Sequence, residues 1–280
     1  MPLTTTDDVR IHFEVVGPDD GEPLVLVGGG GTQLVEWREP FCDLLVERGF
    51  RVIRFDHRDT GLSQRFGAPE DVDGGYAVQD MALDVLRVLD TLGLASAHVA
   101  GHSMGAIMGQ YLALDHPARV RSLAVLSGIP GLDPAYLRGP QYAATAMVPQ
   151  RPLPRDVAVE QFVATQRAMH ATAFAFDEDA ERAHAALQID RGYEPNGFWR
   201  HISALLRADD RLPRLGSIRV PVTVVHGAED PGLAPLAAEL TAAAVPGAEL
   251  HLVPGMGHRV EQALWPLYVD LIATNARRTA

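Results

Sequence analysis

Three side chains in this sequence could together turn a hydroxyl into a nucleophile: Ser103, Asp230 and His258. A serine hydroxyl is a poor nucleophile at neutral pH unless a base takes its proton. The base in turn needs a carboxylate to fix its tautomer and to stabilise the charge it acquires. Ser103 lies in Gly101-His102-Ser103-Met104-Gly105, between the apolar run Ala97–Gly101 and a helical stretch from Ala106 to Asp115. This is a G-x-S-x-G pattern in the strand-turn-helix context that gives it meaning. A sharp turn there lifts the hydroxyl to the edge of a sheet, and the two glycines keep neighbouring atoms out of the way. The N-terminus of the following helix favours negative charge beside the serine.

The base is expected to be His258, which closes the glycine-rich loop Pro254-Gly255-Met256-Gly257-His258 after the last apolar run. The sequence has eleven histidines, and most have no such placement. His102 is next to the serine, but the turn directs it elsewhere. The acid should follow a late strand, and Asp230 does so in Val222-Thr223-Val224-Val225-His226-Gly227-Ala228-Glu229-Asp230-Pro231, with Glu229 as the fallback. An Asp before Pro is also a common turn residue. Chain order decides for the catalytic reading: serine, then acid, then histidine, as a nucleophile elbow requires. The oxyanion formed on attack needs two backbone N–H donors. Met104 should supply one. Gly30, in the run Gly28–Gly31 after Leu24–Val27, should supply the other, because glycine lets the backbone approach the substrate oxygen. The run is not a phosphate loop, since no Gly-Lys-Ser/Thr follows it.

These groups need rigid elements to hold them. Val9–Val16 alternates like an early strand, and Pro23–Val27, Arg51–Phe55, Ala97–Gly101 and Ser122–Leu126 are short apolar runs. Helical spacing appears at Leu34–Arg48 and Val78–Leu92, where Met81, Val85, Val88, Leu89 and Leu92 share one face. Strands at Val220–His226 and Glu249–Val253 and helices at Pro235–Ala244 and about Val260–Asn275 complete the chain. This rhythm predicts a parallel sheet covered on both faces. The segment 131–211 is rich in Ala, Arg, Pro and His and reads as helices without strands. It is expected to be an insertion into one α/β core made of 1–130 and 212–280.

Bulk composition narrows the chemistry. The chain has 280 residues, 47 % hydrophobic and 21 % charged, with net charge −12. Such acidity disfavours nucleic acid and anionic membranes as partners. All 24 basic residues are arginine, so no lysine Schiff base can form. The single cysteine, Cys42, can make neither an internal disulfide nor a Cys-rich metal site. With no H-E-x-x-H pattern and no dinucleotide fingerprint, no metal and no cofactor are expected. The N-terminus lacks a signal-type apolar run, and no stretch has the roughly 18 apolar residues of a membrane helix, so a cytoplasmic protein is expected.

Taken together, the loop glycines, Asp56-His57-Arg58-Asp59-Thr60-Gly61-Leu62-Ser63, the serine turn and Pro254–His258 resemble the α/β-hydrolase superfamily. More narrowly, Arg54–Gly61 and Pro254–His258 are similar to the aclacinomycin methylesterase type of actinobacterial hydrolase, which removes a methyl ester from a polyketide. The resemblance covers the chain apart from the insertion. It departs where Gly28-Gly29 replaces a frequent His-Gly and where Asp59 replaces a common Gly. The resemblance implies a mostly parallel eight-stranded sheet and a helical lid over the pocket. It implies substrate contacts from Met147, Phe162, Met169, His170, Phe174, Phe176 and Trp199, with Gly29 and His102 bordering the nucleophile. Each lid residue alone is better explained by packing between lid helices, and together they suggest an apolar acyl or alcohol site. Asp56, Arg58 and Asp59 are expected to satisfy loop backbone groups. The partner is then a neutral, apolar small-molecule ester, with a homodimer left open. Rival readings keep the fold but change the substrate to a thioester, a lactone or a C–C bond, to perhydrolase or lyase chemistry, or to ligand binding without catalysis.

Overall fold

The computed structural model describes residues 2–138 and 149–278. Seven strands form one sheet: β1 (Phe13–Val16), β2 (Glu22–Val27), β3 (Phe50–Phe55), β4 (Ala97–His102), β5 (Val120–Leu126), β6 (Val222–Gly227) and β7 (Glu249–Val253). Their spatial order is β1-β3-β2-β4-β5-β6-β7, and only β1 runs antiparallel to its neighbour. The expected count of eight is not met among the described residues. Outside β1 the edge continues only as an isolated bridge between Leu3 and His12. Pro2 can accept there, from the Phe13 N–H, but has no N–H to extend the ladder.

The central strands are apolar on both sides because both sides are covered. In β2, Leu24 and Leu26 face one cluster with Trp37, Phe41, Tyr268 and Ile272, while Val25 and Val27 face another with Met81, Val85, Ile107 and Met108. The first cluster is closed by α1 (Glu39–Val46) and α8 (Trp265–Arg277). The second is closed by α2 (Val78–Thr91), α3 (Met104–Asp115) and α7 (Pro235–Ala244). Helix α3 is buried on every side from Met104 to Ala113 and has no polar stripe. One expected helix is divided. Leu34–Glu36 forms a single 3-10 turn, and α1 begins afresh at Glu39, because Pro40 suits only a first helical turn.

Register carries the site. Val27 lies opposite Gly101, His102 opposite Leu126, and Gly227 opposite Val253. The Gly28–Gly31 loop, the Ser103 turn, the Ala228–Asp230 loop and Pro254–His258 therefore leave the sheet at one edge, its C-terminal edge, where α/β sheets bind ligands.

Between β5 and β6 come α4 (Arg155–Met169), α5 (Glu178–Gly192) and α6 (Gly197–Leu205). Arg211 ties the two ends of this region together. Its N–H donates to Pro130 O at 2.8 Å, and its guanidinium to Ile129 O at 3.0 Å and to Gln110 Oε1 at 2.9 Å. The Arg182 side of α5 is a solvated face, with exposed pairs to Glu178 and Glu160. Glu181, in the same charged run, is buried instead. It joins Arg38 at 2.6 Å and Arg259 at 2.8 Å, fastening α5 to the core.

Asp59 is a second fastening. Its backbone has φ +64, a region where glycine is favoured. Its carboxylate accepts from Phe66 N–H, Tyr76 OH and Arg200 Nη1, each at 2.7 Å, and neither Asp59 nor Arg200 is exposed at all. Asp59→Ala should therefore cost on the order of 3–5 kcal/mol, because it strands the Arg200 charge in the interior. Urea denaturation checks this; a loss below about 1 kcal/mol would show that water reaches Arg200.

Candidate active site

The serine turn is strained. Ser103 has φ +54 and ψ −117. A Cβ on Gly101 would fall 2.2 Å from Gly105 O, and one on Gly105 would fall 2.1 Å from Val27 O. Both glycines are thus demanded by close backbone approach, and the Ser103 N–H is held by Leu126 O at 2.9 Å.

Around this turn the three sequence-selected side chains meet in one relay. His258 Nδ1 donates to Asp230 Oδ2 at 2.8 Å, and His258 Nε2 accepts from Ser103 Oγ at 3.1 Å. The direction follows from chemistry: an ionised carboxylate can only accept, so Nδ1 carries the proton and Nε2 the lone pair. Asp230 is fully buried, and its other oxygen accepts the N–H groups of Gly232 and Leu233, both at 2.8 Å. Burial pushes its carboxyl upward, but the hydrogen bond and charge of His258 and the Leu233 N–H outweigh it and hold the group below its ordinary value. Glu229 is exposed and does not take part. The base loop is itself pinned, since the His258 N–H donates to Met169 O at 3.1 Å and His102 Nε2 donates to His258 O at 2.7 Å.

The tetraglycine loop lies beside the nucleophile, with a Cβ on Gly29 only 3.5 Å from Ser103 Cβ. Three of its backbone groups are already engaged. His57 Nε2 donates to Gly28 O at 2.9 Å, Thr32 Oγ1 donates to Gly29 O at 2.9 Å, and the Gly31 N–H donates to His201 Nδ1 at 2.8 Å. Among the described residues no acceptor takes the N–H of Gly29 or of Gly30. The Met104 N–H belongs to the first turn of α3, where no carbonyl lies one turn back to receive it.

The expected substrate contacts separate into two places. Phe162 and Trp199 line a cleft of about 550 Å³ that runs from Gly30 and Gly31 outward between α4, α5 and α6. Ser103 and His258 do not form its wall. Phe198 and Tyr193, not singled out in the sequence, line the same cleft, and Phe198 lies directly on Gly31. His170, Phe174 and Phe176 instead border a smaller pocket with Glu36, Arg259 and Glu261. His170 is occupied there, with Nδ1 2.8 Å from Glu261 and Nε2 3.0 Å from Phe174 O. Met169 meets the site through its backbone carbonyl, His102 is spent on the base loop, and Met147 lies outside the described residues. Sequence reasoning passed over His57 and His201. His57 lies inside the singled-out segment Asp56–Ser63, whereas nothing in the residues near His201 marks it.

Fold and site together define the class. A family profile described as the alpha/beta hydrolase fold matches residues 22–260, and the chain belongs to this family of hydrolases. Among proteins of known name, RutD of Variovorax paradoxus, named for carbamate hydrolysis, is 34 % identical over 251 residues, 89 % of either chain. The rhodomycin D methylesterase DnrP of Streptomyces peucetius is 31 % identical over 98 % of this chain and 97 % of its own. Among solved structures, the enol-lactonase from Burkholderia xenovorans LB400 superposes with a TM-score of 0.76 over 99 % of this chain and all of its own. At 22 % identity that likeness speaks for the fold alone.

Proposed function

We propose that this protein hydrolyses a neutral, apolar carboxylic ester through an acyl-enzyme on Ser103. The observation that carries the reading is the continuous hydrogen-bonded relay Asp230–His258–Ser103 beside backbone N–H groups, Gly30 and Met104 among them, left for an oxyanion. His258 takes the serine proton as Oγ attacks the ester carbonyl. Gly30 and Met104 N–H receive the oxyanion, and Asp230 stabilises the imidazolium. The imidazolium then protonates the departing alcohol, and water attacks the acyl-enzyme by the same steps in reverse roles. The helices α4–α6 act as the lid, and the cleft beneath them receives the larger part of the substrate.

A bulky substrate suits the cleft volume and its Phe162, Phe198 and Trp199 walls, since an apolar pocket gains binding in proportion to the area it dries. The methylesterase relative makes the methyl ester of a polyketide-like compound the favoured substrate class. A second reading, carbamate cleavage, is favoured by the RutD similarity, and the same relay could serve it.

With p-nitrophenyl esters of increasing chain length, kcat/KM should rise until the cleft is full. A matched acyl-CoA should be the poorer substrate, because the net charge of −12 repels anions. Preference for acetate over every longer ester, for the acyl-CoA, or for a carbamate of equal size would replace the apolar-ester reading.

A further inference from the structure

We propose that His201, on the overlying helix α6, is a positioning residue that sets the oxyanion loop: by holding the Gly31 N–H it keeps the Gly30 N–H aimed at the reacting carbonyl. The proposal rests on the reading of Gly30 and Met104 as oxyanion donors. Four consecutive glycines have more backbone freedom than any other tetrapeptide, yet an oxyanion donor is effective only if it is already in place when charge develops. The loop therefore needs outside tethers. His57 tethers Gly28 O from the core, and Thr32, the residue that follows the loop, closes a local turn on Gly29 O. The third, on the far side of Gly30, comes from a residue 170 positions away.

The chemistry of that tether is specific. His201 Nε2 donates to Arg58 O at 2.7 Å, which leaves Nδ1 as the acceptor for Gly31 N–H at 2.8 Å. Gly31 has φ +76, so the loop turns back at the residue His201 grips. His201 is fully buried, edge-on to His57 at 5.6 Å, and burial, with His57 beside it, holds its conjugate acid down to about 3. The acceptor lone pair is thus present throughout the working pH range. Its neighbour Arg200 is locked to Asp59, so the ring has a rigid base. Seating of α6 and the shape of the oxyanion loop are in this way one event.

The test compares His201→Leu, which fills the space without an acceptor, with His201→Gln, whose amide can accept from Gly31 and donate to Arg58. Hydrolysis of a p-nitrophenyl ester and inhibition by a boronic acid, which forms a tetrahedral adduct on serine, are measured well below the melting temperature. For His201→Leu, kcat should fall on the order of 10²-fold, with KM changed by less than about threefold and boronate affinity weakened in step with kcat. His201→Gln should recover most of the loss. A His201→Leu enzyme with a lower Tm but unchanged kcat and boronate affinity would make His201 merely structural and overturn the proposal. Should His201→Leu not fold, amide exchange in the unaltered protein decides. The Gly31 amide should be protected and the Gly30 amide should become protected only with boronate; equal exchange of the two overturns the proposal. Fluorophosphonate labelling separates the failures. An unaltered protein that does not label at Ser103 sinks the serine-hydrolase reading itself, whereas labelling with an unaffected His201→Leu sinks only the role of His201.

Discussion

Replacement of Ser103 by Ala should lower turnover by a factor on the order of 10⁴ or more while the fold persists. On the proposed mechanism the relay acts as a unit, so His258 and Asp230 would retain no function without the hydroxyl. The fold should survive because, among the described residues, Ser103 Oγ bonds only His258 Nε2, and the turn is held by its own backbone and by the two glycines. The backbone at φ +54 is as strained for alanine as for serine, so Tm should move little. Stopped assays with an activated ester, beside a fluorophosphonate label, check the loss. Retention of more than about a tenth of the activity would remove Ser103 from the nucleophile's role.

Asp230→Asn should also cost about 10⁴-fold in kcat, whereas Glu229→Gln should change it by less than about threefold. The asparagine oxygen can keep the Gly232 and Leu233 N–H groups, so the loop should stand. Its amide N–H₂, however, would face His258 Nδ1 and favour the tautomer that places a proton on Nε2, where the serine proton must go. The pH dependence of stability gives a second readout. The Asp230 carboxyl is held below its ordinary value, so its ionised form contributes stability above the ordinary carboxylate range, and that contribution is lost as pH falls through its folded value. The Asn variant should lack this part of the acid destabilisation. Greater damage from Glu229→Gln than from Asp230→Asn would reassign the acid.

The strand rhythm and the serine turn were legible because their causes are local. Leu24 to Val27 reads as a strand buried on both sides from four residues, and Gly101 and Gly105 announce a turn that would clash with any Cβ. Pro235–Ala244 and Glu249–Val253 fall where the sequence predicts them. The aromatic residues of 131–211 were less legible. Phe162 and Phe176 are equally apolar, but one borders the cleft and the other lies under Arg167 and Arg259 beside a different pocket. Helical spacing says which residues share a face; it does not say which neighbour that face meets. The run Asp177–Arg182 shows the same limit, since charge alone cannot tell exposed Glu178 from buried Glu181.

By itself, the sequence determined the candidate chemistry: a serine in a strand-to-helix turn, an acid and a base in that order after later strands, glycines where backbone must come close, and no lysine or cysteine set for another mechanism. Each of these depends on a residue's type and its immediate neighbours. Only the tertiary structure decided that the sheet stops at seven strands among the described residues, that Asp59 neutralises a buried arginine, and that His57 and His201 grip opposite sides of the glycine loop. The reason is physical. These contacts join segments up to 170 residues apart, and a histidine's role is set by which donor and acceptor the packed helices bring to its two nitrogens, a relation with no periodicity for a sequence to display.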